Sequence, residues 1–393
     1  FMNKKWRRFL CVWLLVFSIF LPCGTAAAED TAELSGVVSP SYVLMEPETG
    51  TVICGKEKDT RRSPASVTKI MTLLLIFDSL EKGSLSLEDT VTTSAYAKSM
   101  GGSQVYLEEG ETQSVETLIK CIVIASGNDA SVAMAEHIAG SEQEFVKMMN
   151  ERAAGLGMKN THFEDCCGLT DSDGHYTTAY DIALMSRELI LKYPQVLEYS
   201  SVWMENITHV TRQESKEFGL TNTNKLIRSY DGCRGLKTGS TSKAKFCLSA
   251  VAERDGLSLI AVVMAAPDSR TRQKDASALL DYGFSRCRLY EDPDPGAPGE
   301  LKVKNGISET VPLEYEGVFR YVDTKGGDLS GITRKTAVPD EVEAPVKKGE
   351  AAGELIYMKD GKELGSIRIL YGGSVRKAQY RDCLREVLDL ICL

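Results

Sequence analysis

The chain lacks the usual marks of several function classes. Its 393 residues contain no long basic run, and 55 acidic residues outnumber 46 Lys and Arg for a formal net charge of −9. Such a chain is poorly suited to neutralising phosphates, so nucleic acid is excluded as a partner. Eleven cysteines include no Cys-x-x-Cys pair, and the four histidines, His137, His162, His175 and His209, show no His-Glu-x-x-His spacing. Neither a structural zinc site nor a zinc-protease helix is written here, and no metal or cofactor is expected. Internal repeats are absent. A hydrophobic content of 43% is that of a globular chain, which excludes a disordered chain, a collagen-like fibre and a polytopic membrane protein. The length suits two or three domains.

The apolar run Phe9 to Leu21 has 13 residues, short of the roughly 20 that span a bilayer. Lys4, Lys5, Arg7 and Arg8 precede it, and Gly24-Thr25-Ala26-Ala27-Ala28 follows. That order reads as a signal peptide over 1–28 and an exported protein, with an uncleaved anchor as the alternative. Pro22 before Cys23 fits a lipoprotein signal poorly. Nine cysteines remain beyond residue 28, and Cys166-Cys167 are adjacent. An odd number cannot all pair, so we read them as buried free thiols and infer a reducing exterior. In the tail, 376–393, Cys383, Leu384, Val387, Leu388 and Ile391 share one helical face. That face suits either a membrane interface or packing on its own domain.

The strongest break is Glu291-Asp292-Pro293-Asp294-Pro295-Gly296-Ala297-Pro298-Gly299, a linker by its prolines and glycines. Beyond it, Leu355 to Met358 and Ile367 to Leu370 flank an Asp360-Gly361 turn, and 300–375 is expected to be a small all-β domain. Before it, one hairpin is expected around Glu46 to Gly50 and another around Asp255-Gly256. Val67 to Phe77 is apolar on nearly all sides and predicts a buried helix. Strands at both ends of a helical middle make 30–290 an α+β domain with one antiparallel sheet.

Three motifs stand in order: Ser66-Val67-Thr68-Lys69, Ser126-Gly127-Asn128 and Lys237-Thr238-Gly239. Ser-x-x-Lys alone carries little, since it also starts at Ser79, Ser240, Ser242 and Ser374. Only Ser66 opens a buried helix. A serine hydroxyl needs a nearby base, and residues i and i+3 share a helix face, so Lys69 can reach Ser66. A lysine acts as base only if burial and a nearby positive charge depress its pKa; the apolar helix supplies the burial, and Lys237 would supply the charge. Ser126 can relay a proton, and Asn128 can hold a substrate amide or orient Lys69. Lys237-Thr238-Gly239-Ser240-Thr241 reads as a strand edge where Gly239 lets an extended peptide lie close. The N–H groups of Ser66 and Ser240 are candidates for an oxyanion hole.

The same ordered set, with Asp in place of Gly127, marks class A β-lactamases and penicillin-binding proteins. Pro64 to Thr72, Ala125 to Ala130 including Gly127, Gly235 to Thr241, and His175 to Asp181 resemble the serine D-Ala-D-Ala carboxypeptidases, the low-molecular-mass penicillin-binding proteins. The resemblance covers about 35–290, and a β domain after a linker is typical of that family. It implies the serine β-lactamase/DD-peptidase-like fold, peptidoglycan stem peptides as substrates and β-lactams as inhibitors. Ser66, Lys69 and Ser126 would be catalytic. Asn128, Lys237, Thr238, Gly239, Ser240, Thr241 and Arg272 would bind substrate, with Lys237, Thr238, Thr241 and Arg272 on its terminal carboxylate. The enzyme would work at the cell wall or the outer face of the cytoplasmic membrane.

Rival readings are a serine β-lactamase, a transpeptidase or endopeptidase on the same scaffold, a zinc D,D-peptidase and a non-catalytic wall-binding module. The first would need a carboxylate segment such as Glu-x-x-Leu-Asn, which does not occur. His175 and Cys233 read as packing residues.

Overall fold

The structure is a computed structural model that describes residues 33–210 and 215–382. The signal peptide expected at 1–28 and most of the expected tail lie outside the described residues. Within that tail, Arg376 pairs with Asp382 at 2.6 Å and Lys377 bridges to Gly306. No helix among the described residues is long and apolar enough to cross a membrane.

The two hairpins read in the first region come together as one sheet. Its strands run in the order Val52–Lys56, Ser41–Met45, Leu257–Ala266, Lys245–Arg254, Cys233–Thr241, all antiparallel. Asp255 and Gly256 take φ of 50° and 77°, the left-handed pair that a two-residue hairpin demands. Side chains alternate across the sheet. Val43, Met45, Ile260, Val262 and Met264 face the core built by helices Lys69–Glu81, Val115–Val123, Asn128–Ala139 and Ala179–Lys192. Tyr42, Leu44, Leu259, Ala261 and Val263 face the other way, against Ala276, Leu279 and Leu280 of helix Ser269–Arg286. A period-two pattern with both faces apolar thus makes a sheet covered on both sides.

The buried helix starts later than its apolar pattern suggests. Ala65–Thr68 is a single 3-10 turn, and the α-helix proper is Lys69–Glu81. Residues i and i+3 eclipse in a 3-10 turn, so the Ser66–Lys69 relation survives the change of helix type. At the far end of this helix, the Asp78 carboxylate accepts from Tyr193 Oη at 2.6 Å, Arg152 Nε at 2.8 Å and Lys192 Nζ at 3.2 Å. Burial raises the Asp78 pKa, but the hydrogen bonds from Tyr193 and Arg152 and the Arg152 charge outweigh it, leaving the carboxyl below its ordinary value. Asp78→Ala is expected to cost on the order of 2–3 kcal/mol at neutral pH, measured by urea unfolding. Because the folded pKa is depressed, this contribution is present above the unfolded pKa of about 4 and fades as pH falls through the folded one. The wild-type and variant curves should therefore converge in acid.

The C-terminal all-β part is a six-stranded sheet in the order Thr333–Ala337, Ala351–Lys359, Lys362–Tyr371, Thr310–Tyr315, Glu300–Lys304, Glu341–Glu343. Its core holds Val311, Ile369 and Tyr357, whose ring stacks on Phe319. Strand Arg288–Asp292 pairs with Phe319–Asp323, so Glu291 and Asp292, read as linker, end a strand. Asp292 is held there by Tyr357 Oη at 2.9 Å and Arg334 at 3.3 Å, side chains from distant strands.

Candidate active site

The three motifs meet where the Ala65–Thr68 turn touches the edge strand Cys233–Thr241. Two glycines clamp that turn. A Cβ on Gly168 would lie 1.8 Å from Ala65 O, and one on Gly239 would lie 2.7 Å from Pro64 O and 2.9 Å from Ser66 N. Gly239 is therefore needed for the Ser66 turn itself, a different reason from the peptide approach read in the sequence. Ala65 at φ 49° and Ser126 at φ 64° hold left-handed backbone beside the site, the strain that functional sites carry.

Lys69 is fully buried and donates to Ser66 Oγ at 3.2 Å, Asn128 Oδ1 at 2.6 Å and Cys167 O at 2.7 Å. Burial pushes it below the ordinary lysine value, opposed by the carboxylates of Asp165 and Asp129. Lys237, also buried, donates to Ser126 Oγ at 2.9 Å and Thr238 O at 3.1 Å. Burial, then the charges of Lys69 and Arg272, holds it well below the ordinary value. Burial is thus the main cause at both lysines, as the apolar helix led one to expect at Lys69, and the nearby positive charge of Lys69 adds to it at Lys237. A buried amine 3.2 Å from a half-buried hydroxyl can take its proton once it has given up one of its own, and a second serine bridged to a second amine can pass one on.

Asn128 opens helix Asn128–Ala139, and its Nδ2 donates to Gly101 O at 2.7 Å, which turns Oδ1 toward Lys69. Thr238 Oγ1 bonds Thr223 Oγ1 at 2.7 Å. Ser240 is exposed at the strand edge and Thr241 half-buried. Arg272 is buried on helix Ser269–Arg286, with Nη1 donating to Gly239 O at 3.4 Å and Cys247 O at 3.3 Å, so it braces the strand from behind. His175 supports the site from below. Its Nδ1 accepts from Glu164 N at 3.0 Å, which leaves the proton on Nε2 to donate to Thr68 Oγ1 at 2.8 Å, and burial lowers its pKa.

Residues that the motifs did not reveal sit on the 165–171 loop. Asp165 Oδ1 accepts from the N–H of Cys167 at 2.9 Å and of Gly168, which forms the turn that presents Cys167 O to Lys69. Cys166 N donates to Glu142 Oε1 at 3.0 Å, and the Glu142 carboxylate and both thiols converge there. Asp129 accepts from the N–H of Val105 and Leu107 and pins the loop facing Asn128. An Asp three residues before Gly168 was the only local cue; the contacts themselves are long-range. The seven described cysteines are all buried, with no disulfide among them.

The family model described as D-alanyl-D-alanine carboxypeptidase matches residues 26–268, and that of the penicillin-binding protein 5 C-terminal domain matches 284–377. The chain belongs to the D-alanyl-D-alanine carboxypeptidase family. Among its relatives, D-alanyl-D-alanine carboxypeptidase DacF of Bacillus subtilis is 41% identical over 351 residues, covering 88% of each chain. DacC of Escherichia coli is 33% identical over 364 residues, covering 88% of this chain and 86% of its own. Among solved structures, penicillin-binding protein 5 of Haemophilus influenzae superposes with a TM-score of 0.69 at 28% identity, over 88% of this chain and all of that one. The Streptomyces K15 DD-transpeptidase superposes at 0.60 with 30% identity, over 65% of this chain and all of that one.

In this carboxypeptidase-family chain the glycine clamp gives a direct prediction. Gly168→Ala is expected to slow β-lactam acylation by roughly a hundredfold, because the turn carrying Ser66 must move by an ångström or more. Gly155→Ala, with nothing within 4 Å of the new Cβ, is the control and should label at the wild-type rate.

Proposed function

We propose that this protein removes the terminal D-alanine from peptidoglycan stem pentapeptides through an acyl-enzyme on Ser66. The observation that carries this reading is the buried Lys69 amine, 3.2 Å from Ser66 Oγ, in a chain of this family. Neutral Lys69 accepts the Ser66 proton as Oγ attacks the carbonyl carbon of the penultimate D-alanine. The N–H groups of Ser66 and Ser240 receive the oxyanion. Ser126, held by Lys237, gives its proton to the departing D-alanine nitrogen and takes back the one Lys69 accepted from Ser66, so Lys69 is again a free amine. Water then attacks the ester, with Lys69 again the base. Lys237, Thr238 and Thr241 bind the terminal carboxylate, Arg272 adds positive potential behind Gly239, and Asn128 holds the substrate amide while orienting Lys69. β-Lactams acylate Ser66 and leave slowly.

We assign the catalysis to 30–290, the linker to 293–299, after the strand that ends at Asp292, and a supporting β domain to 300–375. A wall substrate agrees with a secretory signal at 1–28 and places the protein outside the cytoplasmic membrane, with the tail at 376–393 as the segment to examine for membrane contact. The similarity to the K15 DD-transpeptidase favours one second reading, in which an amine instead of water takes the acyl group. The deciding experiment is D-alanine release from a D-Ala-D-Ala peptide by purified protein, with and without an amine acceptor, beside mass mapping of a penicillin adduct. Release without acceptor and an adduct on the Ser66 peptide are expected. Release only with acceptor would select the transpeptidase. Sustained penicillin turnover would select a β-lactamase.

A further inference from the structure

The end of the substrate strand is already occupied by a carboxylate of the protein. Asp171 Oδ1 accepts from Thr241 Oγ1 at 2.7 Å, and its Oδ2 accepts from Ser242 Oγ at 3.1 Å. Lys243 Nζ holds the same segment, donating to Asp171 O at 2.8 Å and Asp173 Oδ1 at 2.5 Å. A hydroxyl has one proton to give. That of Thr241 goes to Asp171, and the Thr241 oxygen in turn accepts from Ala244 N at 3.1 Å. Thr241 therefore cannot donate to a substrate carboxylate while Asp171 stays in place. Asp171 is exposed, so its side chain can swing into water at small cost, and a ligand carboxylate has the same two-oxygen shape.

We propose that Asp171 is an internal competitor for the substrate's terminal carboxylate: it satisfies the Thr241 and Ser242 hydroxyls in the free enzyme and must be displaced for a carboxylate-bearing ligand to bind. This inference rests on the function proposed above. It makes Asp171 a specificity residue. A ligand with a C-terminal carboxylate replaces Asp171 group for group, whereas one ending in an ester or amide offers the hydroxyls nothing better and leaves Asp171 where it is. The competition acts on binding and not on the chemistry at Ser66, so it belongs in KM and in the second-order acylation rate.

The test compares wild type, Asp171→Ala and Asp171→Asn in acylation of Ser66 by benzylpenicillin and by its methyl ester, with KM and kcat for a D-Ala-D-Ala peptide. Asp171→Ala is expected to speed acylation by the free acid about three- to tenfold, the worth of one or two exposed hydrogen bonds. KM should fall by the same factor, with kcat and ester acylation unchanged. Asp171→Asn keeps one acceptor for Thr241 and should lie between. It also decides the matter if the alanine variant folds poorly. Equal slowing with both ligands, a raised KM or no change in either variant would overturn the proposal and leave Asp171 as a loop tie. Absence of any Ser66 adduct in wild type would instead overturn the proposed function, and this inference with it.

Discussion

A Ser66→Ala enzyme is expected to fold normally, release no measurable D-alanine and take up no penicillin. The loss in kcat should be at least about 10⁴-fold, or ~5.4 kcal/mol of transition-state stabilisation, since the hydroxyl that forms the acyl-enzyme is gone. Folding should change little, by under about 1 kcal/mol. Ser66 is only half-buried, and Lys69 retains Asn128 Oδ1 at 2.6 Å and Cys167 O at 2.7 Å as acceptors when the hydroxyl is gone. The measurement is D-alanine release beside a thermal unfolding curve. Full release with an unchanged melting curve would move the nucleophile elsewhere and remove the basis of the mechanism.

The second large effect concerns the protonation of Lys69. The base must be the free amine, so acylation should rise with pH as Lys69 loses its proton. Burial places that rise below the ordinary lysine value of 10.5. The sign follows from the charge: burial disfavours the ammonium, and the neutral amine is the active form. Lys69→Arg keeps a cation that does not deprotonate in proteins, so its acylation should fall by about 10²- to 10⁴-fold and lose the pH-dependent rise. Lys69→Met should fall equally, which separates loss of the base from loss of the charge. The check is the second-order rate of penicillin acylation from pH 5 to about 10 in all three proteins. A rise that persists in Lys69→Arg would assign the titrating base to Lys237, whose amine meets Ser126 Oγ at 2.9 Å.

Much of this was legible in order and spacing. The Asp255-Gly256 and Asp360-Gly361 turns carry left-handed pairs, with φ of 50° and 77° at each, because local chemistry alone specifies such hairpins. The apolar run after Ser66 is a buried helix, and Lys237–Thr241 lies on an edge strand of the five-stranded sheet. Less was legible where a side chain's partner is far away in sequence. Glu291 and Asp292 looked like linker because their prolines follow at once, yet Asp292 is held by Tyr357, 65 positions on. Cys167 carries no motif, and its carbonyl matters to Lys69 only because the loop returns 98 residues later. Gly239 was singled out for the approach of a peptide, and the fold adds a reason of its own, the close packing of the Ser66 turn.

By itself the sequence determined the kind of chemistry: a serine with a lysine three residues on, a second serine with an amide, and a lysine on a glycine-bearing strand. Those pairings depend on residue type and short spacing, which the chain carries everywhere it goes. Only the tertiary structure decided that both lysines are fully buried, that the Ser66 turn is wedged between Gly168 and Gly239, and that Asp171 sits on the Thr241 and Ser242 hydroxyls. Each depends on distances between segments tens to more than a hundred residues apart. Burial and electrostatic repulsion are properties of those distances and not of the residues alone.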